Sequence, residues 1–333
     1  MPLHPNREPS PAPTRPGKTR ETTIGVTQSG KNTPAPALPC ESTGTGSPST
    51  LLQPTTTELE LAQARIAAKQ PQLLGLPLWL EGRTALFRRV DAHVQQAPAH
   101  TPPIQLHSVN AEISIQTRSD QAYRRLLTKN PVNIPDGEWV KRLVGFKYRR
   151  KVERISGSDL LLDLCAHAER ADWAVYLLGT AEDISARAAD ALRQRFPTLD
   201  LERYSPPFTP GPELPEETTA EVLARLAVAR PTVLFACFGS PKQELWIQAH
   251  QDALAAAGVR VVVGAGGSID FVGGAVRRAP RLVSDLGLEW LWRLALQPRA
   301  RFRRMATRLP RFLVLGVIDA ITGRFARNQA DQR

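Results

Sequence analysis

The sequence is poor in cysteine, and its three cysteines stand far apart. Cys40, Cys165 and Cys237 form no CxxC pair in the 333 residues. Such a set offers neither a disulfide framework nor a zinc knuckle, and it is typical of a reducing compartment. The chain also lacks a run of about 20 consecutive apolar residues, the length that a membrane-spanning helix needs. These absences predict a protein that is stabilised by an ordinary hydrophobic core and does not cross a membrane.

Motifs of several common enzyme classes are absent as well. The six histidines show no HExxH or paired spacing, which disfavours a zinc enzyme. Neither a GxSxG elbow nor a GxxxxGK(S/T) phosphate loop occurs. The glycine turn at 264–267 does not fit GxGxxG, which argues against a nicotinamide-dependent dehydrogenase. There is also no DxD triplet of the kind with which metal-dependent sugar transferases hold a nucleotide diphosphate.

Acidic residues are too few to balance the basic ones. The chain has 43 Lys+Arg against 32 Asp+Glu, a formal charge of +11. The excess is concentrated between Arg277 and Arg311, where ten arginines and two acidic residues give a net charge of +8. A patch of this kind predicts a polyanionic partner, either a nucleic acid, an anionic lipid or a diphosphate. Nucleic acid is disfavoured because no helix-turn-helix, RRM or KH pattern appears.

The chain divides into four predicted segments. Residues 1–55 hold 11 of the 29 prolines, and this composition predicts a disordered tail rather than a secretory signal. Residues 56–71 are predicted to be a helical lead-in or linker. Residues 72–296 form the predicted core, and residues 297–333 a basic amphipathic appendage.

Short apolar runs alternate with helical patterns through the core. The predicted strands are 104–109, 174–178, 232–238 and 259–263, and the predicted helices are 120–128, 159–170, 181–196, 215–229 and 242–258. Strands that alternate with helices of this length predict βαβ units. The fold class is therefore α/β, with a parallel sheet covered on both faces.

Glycine-rich or polar turns follow several of these strands and supply candidate site residues. Gly179 ends a strand before a helix, a place where phosphate can bind. Gly266 allows close approach of a ligand, although a tight turn explains it equally well. Gln243 opens a helix at the carboxyl end of the sheet, where open α/β folds bind ligands. Asp136 has the composition of an ordinary turn, but an aspartate there could also serve as a general base if it is partly buried.

Six motifs occur in a distinctive order. They are HSVNAE at 107–112, VNIPDG at 132–137, RISGSDL at 154–160, VYLLGTAEDISARAADALRQRFP at 175–197, FGSPKQELWI at 238–247 and GAGGSIDFVGGAVRRAPRLVSDLGLEWLWRL at 264–294. Over about residues 72–310 this series closely resembles the WecG/TagA/CpsF glycosyltransferase family. The resemblance implies a Rossmann-like, two-lobed parallel-sheet fold with a basic C-terminal helical appendage. It also implies an inverting, metal-independent transfer, with no cofactor, from a UDP-sugar donor to a polyprenyl-diphosphate-linked saccharide.

The same resemblance implies a role in cell-surface or exopolysaccharide synthesis. It places the protein in the cytoplasm, peripherally bound to the anionic inner face of the cytoplasmic membrane, and it allows a homo-oligomer. Two alternatives stay open, a noncatalytic UDP-sugar-binding scaffold and, less favoured, a basic nucleic-acid-binding protein.

Site residues also follow from the resemblance. Composition alone favours an ordinary turn at Asp136. Asp136 matches the catalytic base of the family, however, and the resemblance therefore implies a catalytic role. Ser108 stands where members usually have threonine, two residues before Asn110, and its hydroxyl could bond the acceptor or the donor. The other expected substrate-binding residues are Arg154, Gln243, Asp270, Gly179 and Gly266 in the core.

The C-terminal arginines complete the expected site. Without a metal, the protein must neutralise the departing diphosphate, and arginine can bind two phosphate oxygens at once. Arg299, Arg303 and Arg304 are the candidates for this role. Phe302, Met305 and Leu309 recur among them at helical spacing, which predicts an amphipathic helix. Such a helix could lie on a membrane or pack on the core, and the resemblance favours the membrane.

Overall fold

The described part of the chain includes nearly all of the predicted core. The computed structural model describes residues 61, 65–67, 69–130, 132–296 and 298–331, apart from the side chains of 281, 285, 293, 298–305 and 328–331. The predicted tail lies outside this part. No helix among the described residues has both the length and the apolarity that a membrane crossing requires.

Six parallel strands form the central sheet. They are β3 (Ile104–Val109), β4 (Asn133–Pro135), β5 (Val175–Gly179), β6 (Leu201–Tyr204), β7 (Val233–Cys237) and β8 (Val261–Gly264). Their order in the sheet is β4-β3-β8-β7-β5-β6. A separate antiparallel ribbon pairs β1 (Gln72–Leu73) with β2 (Leu76–Pro77). The predicted α/β class with a parallel sheet is confirmed.

Helices connect the strands and follow the last one. In chain order they are α1 (Gly82–Gln96), α2 (Ala111–Gln116), α3 (Gln121–Lys129), α4 (Glu138–Tyr148), α5 (Gly157–Ala171), α6 (Glu182–Arg195), α7 (Glu216–Ala229), α8 (Lys242–Ala249), α9 (Gln251–Ala256), α10 (Ser268–Val272), α11 (Arg281–Asp285), α12 (Glu289–Leu296) and α13 (Pro298–Asp331).

The sheet is covered on both faces because successive side chains of a strand point in opposite directions. In β5, Val175 and Leu177 pack in one apolar cluster with residues of α1, α5 and α6. Tyr176 and Leu178 pack in another cluster with residues of α7, α8 and α9. All five residues of β5 are buried. Strands covered in this way are continuous apolar runs, which explains why the sequence predicts them well.

The structure adds the ribbon β1–β2 and the helices α1, α2, α4, α10, α11 and α12, which the sequence patterns did not predict, and it also differs from the predictions at two strands of the central sheet and at one helix. The four predicted strands are present with shifts of one or two residues at some ends, but β4 and β6 were not predicted. These strands have three and four residues, too few for a clear alternating pattern. The predicted helix at 242–258 is wrong as a single element, because His250 leaves helical geometry at φ −118° and separates α8 from α9.

The C-terminal helix α13 packs on the core along one face. Leu309 and Phe312 are buried in a cluster with residues of α2 and α4. At Gly316, an added Cβ would lie 2.7 Å from Leu143 Cδ1 of α4, so the two helices touch at close range. The pattern that includes Leu309 suits a membrane face or a core face, and the resemblance favoured the membrane; the structure places Leu309 in the core.

A polar contact also holds α13 in place. Asp319 Oδ2 accepts hydrogen bonds from Lys147 Nζ of α4 at 2.8 Å and from the backbone N–H of Leu74 at 3.0 Å. This half-buried carboxylate links α13 to α4 and to the connection between β1 and β2. Asp319 interrupts the apolar run at 312–321 in the sequence, and its contacts explain why a charged residue stands there.

Candidate active site

The predicted site residues of the core lie along the carboxyl edge of the sheet, apart from Arg154, which precedes α5. They are Ser108 and Asn110 at the end of β3, Asp136 after β4, Gly179 at the end of β5, Gln243 after β7, and Gly266 and Asp270 after β8. Ligands of open α/β sheets bind at this edge. Because β4 and β5 are four strand spacings apart, the set spans about 19 Å.

Asp136 lies in a small cavity of about 130 Å³ at the β4 end of this edge. Its backbone N–H donates to the carbonyl of Val109 at 2.9 Å, which continues the pairing of β3 with β4 by one residue. Asn110 lines the same cavity and caps α2, with Oδ1 accepting from the N–H of Ile113 at 3.0 Å. The NH2 group of Asn110 and the second lone pair of Oδ1 are the parts of the side chain that can serve a ligand.

Two arginines line the cavity with Asp136. Arg154 Nη1 lies 3.6 Å from Glu289 Oε2, and its side chain is only 16% exposed. Arg308 of α13 donates through Nη1 to Glu112 Oε1 at 2.9 Å and to Gln116 Oε1 at 3.1 Å. The lining of the cavity thus combines two guanidinium groups with four carboxylates, those of Asp136, Glu112, Glu138 and Glu289. Such an arrangement can bind a polar substrate and transfer a proton.

Ser108 lies between this cavity and the rest of the edge. Its Oγ is buried and has no hydrogen-bond partner among the described residues. Gly157 opens α5 directly against it, since a Cβ at Gly157 would lie 3.2 Å from Ser108 Oγ and 2.6 Å from Ser268 Oγ. Only glycine allows this approach. A buried hydroxyl with unused bonding capacity is suited to a ligand, and neither Gly157 nor Ser268 was singled out by the sequence reasoning.

Next to Gly157, Asp159 is held in its charged form. Burial raises the pKa of this carboxyl, but hydrogen bonds from Ser156 and Arg278 outweigh burial, and the pKa of Asp159 is lowered overall. Arg278 Nη2 lies 2.6 Å from Asp159 Oδ1. Arg278 thus belongs to the basic window of the sequence, but it neutralises an acid of the protein itself.

A larger cleft of about 850 Å³ occupies the other half of the edge. Its walls include Gly179, Gly266 and Asp270, and the Pro-rich segment 205–212 forms another side. Gly179 has φ +101° and Gly266 has φ +36°, both in the left-handed region that glycine favours. These turns bring backbone, rather than side chains, to the surface of the cleft.

Gln243 is buried beneath this cleft, with a relative exposure of 2%. Its Oε1 accepts hydrogen bonds from the backbone N–H groups of Gly239 at 3.0 Å and Gly266 at 3.2 Å. Its Nε2 donates to Glu244 Oε1 at 2.8 Å. In the structure, Gln243 therefore holds together the two loops that follow β7 and β8.

Glu244 extends this buried network. Its Oε1 also accepts from Ser240 Oγ at 2.8 Å, whereas its Oε2 is buried without a partner in the described part of the chain. Burial raises the pKa of the Glu244 carboxyl, while hydrogen bonds from Gln243 and Ser240 act in the opposite direction. Glu244 is not among the predicted site residues, and no feature of the sequence indicates its burial.

We expect Gly179→Ala to lower the free energy of unfolding by about 2–4 kcal/mol. Its Cβ would lie 2.9 Å from Phe238 Cδ1 and 3.0 Å from the carbonyl carbon of Cys237, a backbone atom that cannot rotate away. Gly211→Ala is the matched control, because Gly211 has φ +111° with nothing within 4 Å of the added Cβ. The control should lose only about 1–2 kcal/mol. If urea unfolding showed that both variants lose the same free energy of unfolding, the contact of the added Cβ with Phe238 and Cys237 would not be destabilising.

The three arginines predicted from the appendage belong to the first part of α13. Arg299, Arg303 and Arg304 have side chains outside the described part of the structure. Arg308, one turn after Arg304, lines the cavity instead and was not among the predicted site residues. Its spacing from Arg304, four residues along a helix, is a signal that could have identified it.

Comparison with known proteins agrees with this architecture. Residues 71–326 match the glycosyl transferase WecG/TagA/CpsF family. One relative, from Bacillus spizizenii, is named N-acetylglucosaminyldiphosphoundecaprenol N-acetyl-beta-D-mannosaminyltransferase. It is 29% identical over 209 residues, which span 62% of this chain and 76% of the relative. The family match covers both cavities of the carboxyl edge and most of α13, and we conclude that this chain belongs to the WecG/TagA/CpsF family of glycosyltransferases.

Proposed function

We propose that this chain transfers a sugar from a UDP-sugar to a saccharide carried on a polyprenyl diphosphate, with inversion and without a metal ion. The observation that carries the proposal is the cavity shared by Asp136, Arg154 and Arg308, on the same sheet edge as the glycine-lined cleft. The name of the Bacillus relative contains such an acceptor, N-acetylglucosaminyldiphosphoundecaprenol. The product would then serve the synthesis of a cell-envelope polysaccharide.

Asp136 would act as the general base. The acceptor hydroxyl has to lose its proton as it attacks the anomeric carbon, and a positioned carboxylate is worth about 10²–10⁴-fold in rate. Asn110 and Ser108 would orient the reacting sugars through their NH2 and hydroxyl groups. The cleft between Gly179 and Asp270 would hold the nucleotide, whose diphosphate could approach the exposed backbone of the glycine turns closely.

The departing UDP develops negative charge, and arginines would neutralise it. Arg154 and Arg308 line the cavity of the proposed base, and a guanidinium group can bind two phosphate oxygens at once. Arg299, Arg303 and Arg304 precede Arg308 on α13 and would extend this positive region. Preorganised cations of this kind stabilise a transition state without a metal ion.

The outward face of α13 would rest on the inner surface of the cytoplasmic membrane. Val314, Ile318, Ile321 and Phe325 are exposed and recur at spacings of four, three and four residues, which places them on one stripe of the helix. Arg311 is also exposed on α13. An apolar stripe beside arginines is the pattern of an interfacial helix on anionic lipid.

We expect the variant Ile318→Glu/Phe325→Glu to lose most of its binding to vesicles of phosphatidylglycerol. The new carboxylates would have to enter an apolar, negatively charged interface. The control Ala224→Glu/Val228→Glu makes the same change of charge on the exposed side of α7 and should bind as the native chain does. Equal binding of the two variants in vesicle sedimentation would contradict the proposed membrane face.

The activity is tested by incubating the full chain with a panel of labelled UDP-sugars and a synthetic acceptor, N-acetylglucosaminyl diphosphoundecaprenol. Transfer of label to the lipid supports the proposal and identifies the donor. Tight binding of UDP-sugars without transfer, across several lipid-linked acceptors, would indicate a noncatalytic scaffold instead. The stereochemistry of the product then tests inversion.

A further inference from the structure

A second large cavity lies at the opposite, amino edge of the sheet. It has a volume of about 730 Å³, within the range of pockets that enclose small molecules. The start of β3 forms its floor at Ile104 and Gln105, and the ends of α1, α3 and α8 surround it. We name it the amino-edge cavity. It shares no residue with the two cavities of the carboxyl edge.

The amino-edge cavity is basic. Arg89, Arg125 and Lys129 line it together with His93, and none of the described residues in its lining is acidic. A helix C-terminus favours cations and would by itself explain Lys129 in the last turn of α3. Arg89 and Arg125 lie in the middle of their helices, so the helix ends do not account for them.

Two of these side chains have buried polar atoms that the protein does not satisfy. Arg89 Nε and His93 Nε2 are both inaccessible to water and have no hydrogen-bond partner among the described residues. The pKa of His93 is lowered to about 4, chiefly by burial and further by the charges of Arg260 and Arg89, while a hydrogen bond to the backbone of Pro102 acts in the opposite direction. Buried polar groups normally have partners. The Arg89 Nε–H is a donor that an anion can accept, whereas Nε2 of the neutral His93 is an acceptor that a ligand hydroxyl can satisfy.

Amide side chains line the rest of the cavity. Gln105 and Gln248 form a hydrogen bond across its floor, from Nε2 to Oε1 at 3.3 Å, and Gln96 lines the wall. An amide can donate to one hydroxyl and accept from another, which suits a polyhydroxylated molecule. Arg260 fixes the adjacent rim by donating to the carbonyls of Ala97 and Pro98, both at 2.9 Å.

We propose that the amino-edge cavity binds a phosphate ester of a polyhydroxylated molecule, such as a sugar phosphate, at a site separate from the one that performs the transfer. The arginines and Lys129 would hold the phosphate, and the glutamines would hold the hydroxyl groups. The site is independent of the proposed transfer reaction, since no residue is common to both.

The test is calorimetric titration of the full chain with glucose 6-phosphate and fructose 1,6-bisphosphate, and separately with glucose and inorganic phosphate. We expect at least one ester to bind at least about tenfold more tightly than either glucose or phosphate, because charged and amide contacts would add. Failure of both esters to bind at about 10 mM would overturn the proposal. If inorganic phosphate bound as tightly as the esters, the cavity would hold an adventitious ion only, and the proposal would be overturned. If glucose bound as tightly as the esters, the cations would have no role in binding, and the proposal would be overturned as well.

Paired variants locate the binding. Arg125→Gln/Lys129→Gln removes two exposed cations of the cavity and should weaken the ester at least about tenfold. Arg88→Gln/Arg170→Gln removes two exposed cations that do not line it, and should leave the affinity within about twofold. Circular dichroism confirms that both variants are folded. If both variants bound the ester with equal affinity, the ester would bind outside the amino-edge cavity, and the proposal would be overturned.

Discussion

Asp136→Asn is expected to lower the turnover number about 10²–10⁴-fold, the usual contribution of a general base. The amide has nearly the shape of the carboxylate, but it cannot accept the proton of the acceptor hydroxyl. The backbone bond from Asp136 to Val109 does not involve the side chain and should persist, so the loop keeps its place. We therefore expect the dissociation constant of the UDP-sugar to stay within about twofold of the native value.

Two companion variants sharpen this measurement. Asp136→Glu keeps a carboxylate but moves it by one methylene, and it should retain more activity than the asparagine variant. Asp252→Asn changes an exposed acid on α9, far from the carboxyl edge, and should be as active as the native chain. If Asp136→Asn turned over at more than about a tenth of the native rate, Asp136 would not be the base.

Phe312→Ala is expected to lower the free energy of unfolding by about 3–5 kcal/mol. Phe312 is fully buried between α13 and the core, and its removal would leave a cavity lined by neighbours such as Leu143 and Val144 of α4. Urea unfolding measures the loss. Ile318→Ala is the control on the same helix, because Ile318 is exposed and should change stability by no more than about 0.5 kcal/mol.

The two variants also separate the proposed roles of α13. Phe312→Ala loosens the helix that carries Arg308, so transfer activity should fall with stability. Ile318→Ala leaves the core face intact, and its effect should be confined to lipid binding. If both variants were equally stable, α13 would not be packed on the core as the structure describes.

Long, doubly covered strands were predictable, but short polar strands were not. The run at 232–238 is apolar at six of its seven positions, and the structure confirms it as β7, which is buried at every position. β6 contains Glu202 and Arg203, and it is a strand because Leu201 and its backbone pair with β5. The pairing with a neighbouring strand decides that such a segment is a strand, and the local sequence pattern does not predict this pairing.

The candidate site was predictable where residues follow strands, since parallel strands deliver their carboxyl ends to one edge. Ser268 lies between Gly266 and Asp270 after β8, but its approach to Gly157 depends on the packing of α5. Arg308 comes close to the site only through the packing of α13, and its position four residues after Arg304 is a signal of this in the sequence. The burial of Leu309 has the same origin. Its periodic pattern suits a membrane face as well as a core face, and only the position of α4 distinguishes the two.

The single oxygen shared by Gly239 and Gly266 limits how the large cleft can open. One Gln243 atom tethers both loops, so moving the β7 and β8 sides apart would break at least one of these buried hydrogen bonds, at a cost of about 1–3 kcal/mol. The segment 205–212 is fastened as well, because Lys242 Nζ donates to the carbonyl of Thr209 at 2.9 Å and Ser205 Oγ donates to the carbonyl of Gly179 at 3.3 Å. The four prolines of this segment restrict its backbone φ angles further. A ligand would therefore enter a cleft whose width is already set, and little conformational entropy of its walls would be lost on binding.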